Sequence, residues 1–129
     1  MQLENLIKRN ILPGLEDYFF SNEIKLPVCL ANPKTSLAMQ FQATCYTAKI
    51  PGTQGSVYNL AWSIACFKKL QTDCLVIDAS VLVGLEQFLQ NNQIRISVTH
   101  IVIIGAEPNQ LSKESFDYKH LHTLASQHV

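Results

Sequence analysis

Two aspartates bracket a short apolar run, Asp73-Cys74-Leu75-Val76-Ile77-Asp78, and Ala79-Ser80 follow directly. Four consecutive apolar residues read as a strand buried on both faces. A carboxylate at the carboxyl end of such a strand lies where open α/β sheets hold their ligands. There it can accept a phosphoryl group, help bind a hard cation, or simply flank the next helix, whose N-terminus favours negative charge. The last use is the commonest. Three further residues fall on turns expected at the same edge, so the binding candidates are Asn32, Asp78, Ser80 and Glu107. Each of these turns precedes an expected helix N-terminus, which suits an anion. Asp78 and Glu107 are the acid–base pair that a small phosphate- or nucleotide-binding enzyme would use.

Other constellations carry less. Gly52-x-x-Gly55-Ser56 lacks the lysine of a Walker loop and the spacing of a dinucleotide fingerprint, and reads as a turn. His100 lies within an apolar run and reads as a satisfied core or edge histidine. His120 and His122, two apart on an expected helix, do not share a face. No convergent ligand set for a metal is present, and no G-x-S-x-G nucleophile elbow. We therefore expect no catalytic residue, no cofactor and no metal. The four cysteines, Cys29, Cys45, Cys66 and Cys74, form no C-x-x-C pair. They read as small hydrophobes in the core.

The chain has 129 residues, enough to bury a core as one domain. Ten basic residues balance ten acidic ones, so there is no basic footprint for nucleic acid. No apolar run is long enough for a membrane span. Glu4 and Pro13-Gly14 do not suit a signal peptide. With no disulfide framework, a cytoplasmic location is expected.

The elements that must position these residues begin with an N-terminal helical arm, residues 1–24. Leu3, Leu6 and Ile7 share one face of a short helix, and Pro13 starts a second that carries Leu15, Tyr18 and Phe19. From Lys25 to the end, strands and helices alternate: a strand at 26–31, a helix started by Asn32-Pro33, a strand at 44–50, a helix at 56–70 capped by Ser56, the strand at 74–78, a helix at 80–90, a strand at 99–104 and a last helix opened by Ser112. The helix at 56–70 places Val57, Leu60, Ala61, Ile64 and Ala65 inward, Asn59 and Ser63 on a narrow polar face, and Trp62 on an adjacent stripe. Alternation of this kind gives a doubly wound, mostly parallel sheet of four to five strands with helices on both faces. The apolar excess makes Leu3, Leu6, Phe19 and Trp62 the interface candidates.

The order of elements from Lys25 onward, with Asp78 ending the third strand and Asp73 five residues earlier, resembles response-regulator receiver domains. The resemblance implies a flavodoxin-like fold and an aspartate that accepts phosphate beside magnesium. The family's first strand ends in an acidic pair, where this chain has Ala31-Asn32; its fourth ends in Thr or Ser then Ala, where this chain has Gly105-Ala106. Its fifth strand with Lys-Pro has no counterpart in this reading, because Lys119-His120 falls in the last helix. Magnesium needs carboxylate ligands, so the chain is most similar to a degenerate pseudo-receiver. Such a domain signals or assembles through a protein partner or a second copy of itself.

Overall fold

Three apolar segments without a polar gap can be accommodated only where helices cover both sides, and each becomes a strand buried at every position: β1 (Pro27–Leu30), β3 (Cys74–Asp78) and β5 (His100–Ile104). The structure is a computed structural model and describes residues 9–105 and 111–125. The expected helix face of Leu3, Leu6 and Ile7 lies outside the described residues, as does Glu107 in its turn.

The elements in chain order are α1 (Pro13–Ser21), β1, α2 (Leu37–Ala48), β2 (Thr53–Gln54), α3 (Leu60–Leu70), β3, α4 (Ala79–Asn91), β4 (Ile96–Ser97), β5, β6 (Phe116–Asp117) and β7 (His120–Leu124). Five strands form one parallel sheet in the order β2-β1-β3-β5-β7, while β4 and β6 pair separately in parallel. This is an α/β fold consistent with a flavodoxin-like layout. From β1 the chain first adds a strand on one side, then returns to build β3, β5 and β7 on the other. The crevice between the carboxyl ends of β1 and β3 is therefore the topological switch point.

Strand alternation divides the interior into two cores. Val28, Leu30, Leu75, Ile77, Ile101 and Ile103 meet α3 and α4 through Ile64, Phe67, Leu85 and Leu89. Cys29, Cys74, Val76, Val102 and Ile104 meet α1 and α2 through Leu15, Phe19, Phe41 and Cys45. Each fully buried Leu or Phe contributes about 1.5–3 kcal/mol, so α1 is held firmly by Leu15 and Phe19, which are 0 % and 2 % exposed. Phe19 meets Phe41 edge to face.

Several local expectations are corrected. Residues 44–48 are helical, not a strand. Thr44 is accommodated because its hydroxyl donates to Gln40 O at 2.7 Å and accepts from Leu12 N at 3.1 Å. The strand in this region is β2, inside what the sequence suggested was a loop. Asn32-Pro33 does not start α2, because the Asn32 side chain accepts from Lys34 N at 2.9 Å and closes a turn instead. Asn59, not Ser56, caps α3, with its side chain accepting from Trp62 N. The inward face of that helix is rotated relative to the expectation: Ser63, Ile64 and Phe67 are buried, whereas Ala61 and Ala65 are exposed. Ser63 tolerates burial because its hydroxyl is fully partnered by Ser56 and Asn59. Gly55 leaves the room, since a Cβ there would stand 2.8 Å from Leu30 Cδ2 and 3.2 Å from Ser63 Oγ.

The largest correction is at the C-terminal end. Residues 116–117 and 120–124 are strands rather than a helix. Phe116 is fully buried beside Ile96, its partner in the small sheet, and Lys119 N and His120 N both donate to Thr99 O. Pairing with β5 along all five residues of β7 decides the conformation, and the last helix expected from Ser112 does not form among the described residues.

Candidate functional site

The turns after β1 and β3 meet at the switch point and bring Asn32, Asp78 and Ser80 together as the sequence suggested. Asp78 is 8 % exposed and caps α4: its Oδ1 accepts from Ser80 N at 3.1 Å and from Ser80 Oγ at 2.9 Å. Its Oδ2 lies 2.9 Å from Thr35 Oγ1, whose hydroxyl also has the Asn32 carbonyl oxygen at 2.8 Å. Asn32 completes the group by donating from Nδ2 to Ser80 Oγ at 3.2 Å. The outcome is a closed relay, Asn32 to Ser80 to Asp78, with Thr35 on the second carboxylate oxygen. The carboxylate has two donors on Oδ1, and on Oδ2 the one Thr35 proton is shared with the Asn32 carbonyl.

Asp73 has a separate task at the other end of the strand. Its two oxygens accept from Lys25 N at 2.7 Å and Leu26 N at 2.9 Å, tying the connection between α1 and β1 to the sheet. Both aspartates of the opening motif are thus engaged by donors of the chain itself. Thr35 was missed from the sequence because an early helix start at Asn32 placed it inside a helix. The signal was the tetrad Asn32-Pro33-Lys34-Thr35, which also reads as a turn. Lys34 is exposed in that turn.

The amino edge of the sheet carries two arrangements that sequence reasoning did not anticipate. On the α1 side, Tyr18 Oη and His100 Nδ1 are 2.7 Å apart, the His100 and His120 rings stack at 4.9 Å, and the Tyr18 and His122 rings stack at 4.7 Å. On a strand, residues two apart share a face, so His120 and His122 both meet this cluster, contrary to the helical reading. Burial, with the nearby His120, lowers the His100 pKa from its ordinary 6.5, and Asp73 opposes the shift. Burial pushes the Tyr18 phenol up to about 12, helped by Cys74. Among the described residues no group of three or more His, Cys, Asp and Glu side chains is arranged to hold a metal ion.

On the α3 side, a cavity of about 500 Å³ opens between the C-terminal end of α3 and the small β4–β6 sheet. Its floor is apolar, including Phe67, Leu75 and Ile96, and its rim includes Lys68, Thr72 and Lys119.

Of the interface candidates, Phe19 is in the core and Leu3 and Leu6 lie outside the described residues. Trp62 stays 52 % exposed, with Tyr58 nearby in sequence at 84 %. Three cysteines are buried as expected, and burial pushes their thiols up, Cys45 to about 12, away from nucleophilic character. Among the described residues no helix is long and apolar enough to cross a membrane.

No protein-family model, curated protein or solved structure matches this chain.

Proposed function

We propose that this chain is a non-catalytic signalling or assembly module, receiver-like in layout, that acts through a protein contact around Trp62 and Tyr58. The observation that carries the reading is the state of Asp78: its carboxylate already accepts from Ser80 N and Ser80 Oγ, with Thr35 Oγ1 2.9 Å from the other oxygen. A phosphoacceptor needs a free oxygen and a cation beside it, and the residues following β1 are Ala31 and Asn32 rather than acids. A fifth strand of the main sheet does exist, β7, but Lys119 precedes it at the amino edge, away from Asp78. The start of α3, where two large aromatic side chains stand in solvent, supports a contact there.

Trp62 is the chain's only tryptophan, so its emission reports the contact directly. In a dilution series followed by sedimentation, assembly with a second copy is expected to shift that emission to the blue as the mass rises, and Tyr58→Ser to weaken both. A chain that stays monomeric with invariant emission counts against self-assembly. Mass gain from acetyl phosphate with magnesium that Asp78→Asn abolishes would overturn the reading altogether.

A further inference from the structure

We propose that the cavity at the amino edge binds a small amphipathic anion, an apolar body carrying one carboxylate-like head. The volume, about 500 Å³, falls within the range of small-molecule sites. Its floor is built from residues of the main core, among them Phe67, Leu75 and Ile96. These are held from behind and form a preformed apolar surface.

The rim supplies the charge. Lys68 and Lys119 both border the cavity, and neither ammonium group has an ion-pair or hydrogen-bond partner among the described residues. The acid at the rim, Asp117, faces the Ser97 hydroxyl at 3.4 Å. Two cations against one carboxylate leave the opening net positive. Thr72 also contributes to the wall, and its buried Oγ1 has no hydrogen-bond partner among the described residues. Apolar floor and cationic rim together describe the complement of an amphipathic anion. A cationic ligand would meet two lysines, and a fully polar one would leave the floor unused.

The wall is well braced for such a role. Tyr118 at the rim lies beneath the Lys113 ammonium, 5.2 Å from the ring centroid, and Arg95 Nε donates to Lys113 O at 3.1 Å. These contacts tie the segments leading into β4 and β6 to each other beside the cavity. The site lies at the C-terminal end of α3, whereas Trp62 and Tyr58 lie at its start, so ligand binding and the protein contact are separately testable.

The test is calorimetric titration of the full chain with decanoate, using decanol and decylamine as controls of equal chain length. Decanoate is expected to bind saturably at one site, and decylamine not at all. Lys68→Gln and Lys119→Gln are each expected to weaken decanoate about tenfold, the loss of one charge-assisted contact, with little effect on decanol. Thr99→Trp, at an exposed position of the cavity wall, is expected to abolish binding while the far-ultraviolet circular dichroism is kept. Equal affinity for decanol and decanoate would overturn the anionic assignment. Absence of saturable binding, or binding that survives Thr99→Trp and both lysine variants, would overturn the site.

Discussion

The two edges of the sheet end in opposite conditions. At the carboxyl edge Asn32, Thr35, Asp78 and Ser80 answer one another's hydrogen-bonding needs, and the switch point is filled by its own side chains. At the amino edge below α3, the Lys68 and Lys119 ammonium groups border open space without partners among the described residues. Parallel α/β sheets ordinarily place ligands at the first of these edges. The difference teaches that the location of a site follows from which polar groups the chain leaves unsatisfied, and that the topology only offers the position.

The sharpest way to break this contrast is to remove its central carboxylate. Asp78→Ala deletes the cap of α4 and leaves the Ser80 hydroxyl without its acceptor, while Thr35 keeps the Asn32 carbonyl. The expected loss is about 2–3 kcal/mol, a cap plus one buried hydrogen bond, read as a lowered urea midpoint with unchanged slope. Lys119→Gln at the open edge should shift stability by less than about 0.5 kcal/mol, as an unpartnered surface charge does. If the two variants cost the same, the carboxyl edge is not the structural one.

Asp73→Ala comes next. It removes the acceptor of Lys25 N and Leu26 N, two amides that can then turn to water, so the expected cost is about 1–2 kcal/mol. Amide exchange should speed at Lys25 and Leu26 and stay slow at Ser80. Faster exchange at Ser80 as well would mean that the two aspartates act as one unit along β3.

How far these roles could be read from the sequence depends on the kind of signal each leaves. The strands at 74–78 and 100–104 were legible because uninterrupted apolar runs fit only a sheet covered on both sides. Asn32, Asp78 and Ser80 were legible as neighbours because the parallel order fixes which turns share an edge. Thr35 was hidden by a helix start placed too early. The cavity was hidden for a different reason: β6 and β7 are made by long-range pairing with β4 and β5, and Phe116, Leu121 and Leu124 happen to recur at near-helical spacing. Reading that segment as a helix removed one wall of the cavity and separated His120 from His122. Ser63 was misjudged because its polarity suggested solvent, whereas Ser56 and Asn59 satisfy it inside.

The smallest expected effect sharpens the comparison at the amino edge, on the side away from the cavity. His100 is buried with its Nδ1 against Tyr18 Oη, beside His120, while His122 stacks on the same tyrosine and Asp73 and Cys74 lie close. Its pKa is lowered on folding, so the unfolded chain takes up the proton first. The contribution of neutral His100 is therefore complete above about pH 6.5, the ordinary histidine value. It falls away as the pH drops through the lower folded value. At the other extreme the Tyr18 phenol is raised to about 12, so its contribution holds up to its ordinary value near 10 and is lost as the pH rises through about 12. Urea midpoints at pH 7.5, 6.5 and 5.5 should decline in that order, and His100→Gln should flatten part of the decline. Tyr18→Phe should leave the acid limb largely in place and reduce the alkaline one. A chain whose stability rises on acidification, or whose slope is indifferent to His100→Gln, would show that this histidine is not held neutral by its surroundings. The amino edge would then differ from the carboxyl edge in its open cavity alone.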